Sequence, residues 1–221
     1  MTSLYPINLN MQGRHCLVVG GGAVAARKIT TLLGCGAKVR VVSPIAVPEI
    51  RQLAAAEKIE WLERAYTGGD IGDSFMVFAA TNQPAVQKRV TADAKLSGVL
   101  LNVASDPDAS DFHVPASVRR GLLLLTISTG GGSPAFAKKL RTQMESEFGP
   151  EYTIILDLFA RIREVVLTDG RSQEDHQHLF HELIRSDIVE YIKVGDWQSV
   201  YMLLQNLLPP GQDISALLED L

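Results

Sequence analysis

Cys16-Leu17-Val18-Val19-Gly20-Gly21-Gly22-Ala23-Val24-Ala25-Ala26-Arg27-Lys28 decides the fold. A short apolar run meets three glycines, and a helix-forming run begins at once. The spacing Gly20-x-Gly22-x-x-Ala25 fits the G-x-G-x-x-A dinucleotide pattern, which needs a strand before it and a helix after it. Gly20 allows a turn that a β-carbon would strain, and Gly22 lets the main chain approach a pyrophosphate. Ala25 is small enough for the helix to lie close to the strand. Amides that open the helix, at Ala23 and Val24, then point at the phosphates, where the positive end of the helix dipole favours an anion.

Working outward, strands alternate with helices up to residue 104. The first strand is expected over 15–19, a helix over 24–33 stopped by Gly34-Cys35-Gly36, and a second strand over 38–43 closed by Pro44. A helix over 48–58 and a short strand over 59–62 follow. Phe75-Met76-Val77-Phe78-Ala79-Ala80 is almost wholly apolar, as a strand covered on both faces should be. A helix over 85–96 and a fifth strand over 98–103 complete an open, doubly wound parallel sheet, the Rossmann-like α/β class. Tyr5 to Leu9 suits an edge strand or an extended arm. Beyond 104 the pattern changes to a loop dense in Asp, Pro and Ser. A strand over 122–128 then leads to a helix to about 148, with Ser133 as N-cap and Pro134 at its first position. From 151 onward only helices are expected, over 152–167, 172–186 and 197–207, with a short tail after them.

The 221 residues allow one large or two small domains, with 46% apolar residues and a net charge of −4. No basic excess points to nucleic acid, and no apolar run is long enough to span a bilayer. The first twelve residues lack the form of a signal peptide. Cys16 and Cys35 read as small buried hydrophobes, so the expectation is a reduced, cytoplasmic protein with no fixed metal site.

Four stretches could carry chemistry. At the end of the second strand, where a carboxylate usually bonds the ribose hydroxyls, stands Val42-Ser43-Pro44-Ile45. Ser43 can offer a bond to the ribose or simply end the strand; NAD is the expected cofactor, although the missing acid lowers the bar to NADP. Thr81 and Asn82 follow a central strand where ligands lie in such sheets, and they also suit a turn and helix cap. Between Asp106 and His113, three carboxylates and one imidazole stand within eight residues, enough to supply a proton acceptor. Ordinary turn chemistry explains Asp-Pro-Asp equally well. Thr129-Gly130-Gly131-Gly132-Ser133 opens a helix like a second anion cradle, with Arg119 and Arg120 before it and Lys138, Lys139 and Arg141 after it. In an acidic chain this cluster suggests a polyanionic substrate, the alternative being a solvated basic face.

Taken in order, these pieces resemble the precorrin-2 dehydrogenase family, which also forms the first module of siroheme synthases. The resemblance rests on Tyr5-Pro6-Ile7, on Val18-Val19-Gly20-Gly21-Gly22-x-Val24-Ala25-x-Arg27-Lys28, and on Ala79-Ala80-Thr81. Asn102-Val103, Phe112-x-x-Pro115, the run from Ser128 to Pro134 and Arg141 complete it. It covers residues 4 to 148.

The resemblance implies NAD-dependent oxidation of precorrin-2 to sirohydrochlorin, and in some members insertion of ferrous iron at the same site. It implies a homodimer whose partner helps build the substrate cleft. The implied organisation is a Rossmann domain over 1–113, a dimerisation and substrate segment over 114–148, and a helical region over 149–221. Gly20 to Val24, Ser43 to Ile45, Thr81 and Asn82 then serve the cofactor. Thr129, Gly130, Gly131, Ser133, Lys138, Arg141, Arg119 and Arg120 serve the substrate. The family's key aspartate follows a segment like Asn102-Val103; an ungapped match puts Ser105 there and Asp106 one residue later. Asp106 is therefore the expected proton acceptor, with Ser105 and His113 beside it. Two rival readings of the same residues are a nucleotide-sensing module and a homologue that only chelates.

Overall fold

The computed structural model describes residues 4–167 and 172–221. Five strands, β1 (His15–Val19), β2 (Lys38–Val42), β3 (Glu60–Leu62), β4 (Met76–Ala79) and β5 (Leu100–Val103), form one sheet. All its pairings are parallel and its order is β3-β2-β1-β4-β5. The apolar runs of β1 and β4 lack alternation because both faces of the sheet are covered. On one face α1 (Ala23–Gly34) and α2 (Pro48–Ala55) pack Ala25, Ile29, Leu32 and Ile50 against Cys16, Val18, Val41 and Phe78. On the other, α3 (Pro84–Ser97) packs Val90 and Ala94 against Leu17, Val19, Val77 and Leu101. The chain moves outward from β1 in both directions, so the switch point lies between β1 and β4. Ligands of open α/β sheets bind in that crevice, at the carboxyl ends of the strands.

The chain divides into two compact units, the first ending at Val114 and the second running from Pro115 to Leu221. The second opens with an antiparallel hairpin of β6 (Ala116–Arg120) and β7 (Leu123–Ile127), in which Val118 faces Leu125. Its two-residue loop places Gly121 at φ +54°, a left-handed conformation that favours glycine. The helix α4 (Pro134–Glu147) begins as expected: the Ser133 hydroxyl accepts a bond from the Phe136 amide at 3.2 Å. Among the described residues five helices follow: α5 (Glu151–Val166), α6 (Gln173–Arg185), α7 (Ile188–Val194), α8 (Trp197–Leu207) and α9 (Ile214–Leu218). They surround a core in which Leu158, Ile162, Leu183, Ile188, Val200 and Leu204 are fully buried.

Residues 5–9 are exposed and pair into no sheet, which agrees with an arm and not with an edge strand. The structure departs from the sequence reading in two places. Strand β6 lies where the sequence reading assigns no element; only Val118 among its residues is buried, so it carries almost no apolar signal. The short helices α7 and α9 stand where a connection and a tail were expected, each too brief to show a periodic pattern. Both cysteines are free, and burial pushes the Cys16 thiol up to about 11. No helix among the described residues is long and apolar enough to cross a membrane.

Candidate functional site: a glycine loop at the sheet's switch point

The three glycines have different reasons for being glycine. A β-carbon on Gly20, whose φ is +133°, would lie 2.2 Å from the Ala80 carbonyl oxygen. One on Gly21 would lie 1.9 Å from the Ile45 carbonyl oxygen. The loops after β4 and β2 thus press on the first two positions, and the protein needs glycine there for its own packing. At Gly22 a β-carbon would meet nothing within 4 Å, and its φ of −90° suits any residue. No contact within the chain explains that glycine, and its open side leaves room for a ligand against the backbone. Gly22 is the N-cap of α1 and makes no side-chain cap, so the first amides of the helix face outward. Val24 and Ile45, 40% and 73% exposed, offer apolar surface at this loop. These features fit the pyrophosphate of a dinucleotide.

At the end of β2 the Ser43 hydroxyl donates to the Ile45 carbonyl at 2.7 Å, and the Trp61 indole donates to the Ser43 carbonyl at 3.0 Å. Ser43 therefore shapes the loop beside Gly21 and keeps only acceptor capacity for a ribose. Pro44 and Ile45 are exposed beside it. After β4, the Thr81 hydroxyl accepts from the Gln83 amide at 3.2 Å, while Asn82 is exposed. Arg40 pairs with Glu60 at 2.6 Å across the neighbouring strand, a solvent-facing bridge.

The loop after β5 sorts its acids by role. Asp111 is structural: its carboxylate accepts from the Leu101 amide at 2.9 Å and its own amide donates to the Leu101 carbonyl at 2.8 Å, so it pairs with the free edge of β5. Asp106 is exposed, and its carboxylate accepts one local bond, from the Ala109 amide at 3.1 Å. Its other oxygen stays open to solvent or substrate. Ser105 donates to the Gln87 side chain at 3.2 Å, and a His113 ring nitrogen lies 3.4 Å from the Pro107 carbonyl. Asp106, Ser105 and His113 thus share one loop, which leaves the same sheet edge as the glycine turn.

Lys28 closes the glycine motif, and the motif alone implies no task for it. From the sixth position of α1 its ammonium reaches Asn102 Oδ1 at 2.8 Å and lies 4.9 Å from the Phe78 ring centroid. Asn102, buried in β5, donates to the Phe112 carbonyl at 3.0 Å, which holds the loop after β5 against the sheet. Burial lowers the Lys28 pKa, and neighbouring Arg27 lowers it further. The signal in the sequence was a polar Asn inside an apolar strand.

In the second unit, the turn before α4 is closed by its own bonds. The Gly132 amide donates to the Thr129 carbonyl and the Ser133 amide to the Thr129 hydroxyl, at 3.0 and 3.2 Å. Gly130 and Gly131 are left-handed, with φ of +60° and +84°. Lys138 is exposed one turn into the helix, and Arg141 pairs with Glu145. Arg120 sits at the opposite end of α4: it donates to the carbonyls of Phe148 at 2.9 Å and Glu145 at 3.2 Å. Its guanidinium serves the helix terminus, whereas Arg119 on the adjacent position is exposed. The basic cluster is therefore not one patch.

Residues 7–116 match a family model described as putative NAD(P)-binding. The siroheme synthase of Nitrosococcus oceani is 31% identical over 206 residues, 93% of this chain and 44% of that protein. That of Neisseria meningitidis serogroup C is 32% identical over 189 residues, 86% of this chain and 39% of that protein. The chain thus spans less than half the length of these curated relatives. Among solved structures, one described as SirC, precorrin-2 dehydrogenase, superposes with a TM-score of 0.76 at 29% identity, covering 92% of this chain and 98% of that one.

Proposed function

The chain belongs to the precorrin-2 dehydrogenase family, and from that membership we propose that it oxidises precorrin-2 to sirohydrochlorin with NAD as acceptor, a step of siroheme synthesis. The observation that carries the reading is the open space at Gly22 beside two glycines the fold needs for itself. When bound, the nicotinamide supplies a two-electron acceptor for a hydride. Gly20, Gly21 and Gly22, with the amides of Ala23 and Val24, hold the pyrophosphate. Ser43, Pro44 and Ile45 border the adenosine half, and Thr81 and Asn82 the nicotinamide half.

Oxidation removes one hydride and one proton from the macrocycle. Asp106 takes the proton through its unengaged oxygen, with Ser105 and His113 flanking it. The turn of Thr129, Gly130, Gly131 and Ser133, whose amides at 130 and 133 are spent within it, meets the carboxylates that fringe the tetrapyrrole through its Thr129 and Gly131 amides, together with Arg119, Lys138 and Arg141; Arg120 braces the end of α4. Exposed Leu122 and Phe136 give the second unit an apolar face for a second copy of the chain, so the working form is a homodimer. The protein acts in the cytoplasm, without nucleic acid or membrane. Ferrous iron would enter as a further substrate at the same site, with Asp106 accepting the pyrrole protons that its insertion displaces.

The test supplies NAD or NADP to the protein with precorrin-2 and follows sirohydrochlorin by absorbance. NAD should support turnover and NADP should be the poorer oxidant. Tight NAD binding without turnover would favour a sensing module, and iron insertion without oxidation a chelatase.

A further inference from the structure

Beside the glycine turn, on the α1 face of the sheet, a cavity of about 170 Å³ is walled by Lys28, Asn102, Ala104, Pro107, His113 and Val114. Its polar end is the Lys28 ammonium. One of the three ammonium donors is spent on Asn102, and the Phe78 ring lies under the charge. The Asn102 amide cannot turn to offer anything better, because its nitrogen is committed to the Phe112 carbonyl. No carboxylate among the described residues pairs with Lys28. Asp111 is engaged with the edge of β5, and one Asp106 oxygen with the Ala109 amide. The charge of Arg27, its neighbour in sequence, repels Lys28.

A half-buried cation with no anion costs free energy that a structural role does not recover. A bond to Asn102 alone could be made by a neutral side chain. Pro107 and Val114 add apolar lining, and Ser110 and His113 complete it. An acidic head on a short aliphatic stem fits both ends: the head meets Lys28 and the methylenes meet Pro107 and Val114. The cavity holds such an arm and is far too small for a tetrapyrrole ring.

We propose that this cavity is a carboxylate subsite, with Lys28 as counter-ion, and that it takes one carboxyalkyl arm of the macrocycle. The second clause rests on the function proposed above; the first does not. The subsite would fix which edge of the ring meets the nicotinamide side of the crevice, because Asn102 and Ala104 join it to the loop of Asp106.

Two measurements test it. In protein labelled with ¹⁵N-lysine, propionate is titrated and the Lys28 Nζ resonance, identified by its loss in Lys28→Arg, is followed. A saturable shift confined to that signal is expected; no shift, or an equal shift of all lysines, overturns the subsite whatever the substrate is. In turnover of precorrin-2, Lys28→Met should raise KM by about 10- to 100-fold, the size of a charge-assisted bond, with kcat held within about threefold. Lys28→Arg should recover most of the loss, and NAD affinity should not move. A fall in kcat at unchanged KM, or a loss of NAD binding, would overturn the assignment to the substrate arm. If the unaltered protein does not oxidise precorrin-2, the functional reading fails, and the propionate titration still decides the subsite.

Discussion

The Ala80 carbonyl oxygen stands 2.2 Å from the place a Gly20 β-carbon would occupy, so the turns that follow β1 and β4 lie back to back at the switch point. Gly22, two residues on, faces open space. The same motif therefore divides into positions that hold the fold and one that the fold leaves open.

Substitution should separate them. Gly20→Ala places a methyl against backbone at a left-handed φ and should cost about 1–3 kcal/mol or more in urea unfolding. Gly22→Ala should leave stability within about 0.5 kcal/mol. Its NAD affinity, measured by calorimetry, should fall at least tenfold by order of magnitude, since the methyl would occupy the pyrophosphate's place. Equal loss of stability in both variants would remove the distinction.

Asp106 and Asp111 differ in what they hold. Asp106→Asn keeps an acceptor for the Ala109 amide but cannot take a proton, so turnover should fall by about 10²–10⁴ with stability nearly unchanged. Asp111→Ala removes the partner of the Leu101 amide, and hydrogen exchange at Leu101 should speed up. Full activity in Asp106→Asn would exclude it as the proton acceptor.

A third carboxylate makes stability pH-dependent. Asp70 is buried and receives two bonds from the Arg64 guanidinium, at 2.9 and 2.5 Å, and one from the Thr67 amide at 2.7 Å. The Arg64 bond first, then the Thr67 bonds, hold its carboxyl below the usual aspartate range against the opposing effect of burial. The unfolded chain therefore takes up this proton first as pH falls. The stability Asp70 contributes is complete above its unfolded pKa and lost as pH drops through the folded one. Asp70→Asn should cost about 1–2 kcal/mol at pH 7, and the gap from the unaltered protein should narrow towards pH 3, as read by urea midpoints.

The cysteines should react unequally. Cys16 is 1% exposed with its thiol pushed up to about 11, while Cys35 is half-buried at the end of α1. Iodoacetamide at pH 7.5 should label Cys35 alone in the folded protein and both after unfolding, as peptide mass spectrometry would show.

The parallel sheet was legible because each buried strand is an apolar run closed by Gly, Pro or Ser. Gly20 and Ala25 announced the first turn for the same reason, that few residues fit there. The site was legible in part. That Asp111 staples β5 while Asp106 stays open depends on which backbone edge lies beside each, which spacing does not reveal. Lys28 and Asn102 meet across 74 positions of sequence, through the order of strands and not through any local pattern. Arg120 and Arg141 looked like members of one basic patch; the hairpin carries the first to the far end of α4, and Glu145 pairs with the second. Strand β6 was missed because Arg119 and Arg120 mask a strand with a single buried residue, Val118.

The central claim is that this chain moves a hydride from precorrin-2 to NAD. It is tested most directly by mixing the three without oxygen and following NADH and sirohydrochlorin together by absorbance. One NADH should appear for each sirohydrochlorin formed, at the same rate, and neither without the protein. Sirohydrochlorin formed without NADH, or no conversion by protein that binds NAD, would contradict the account.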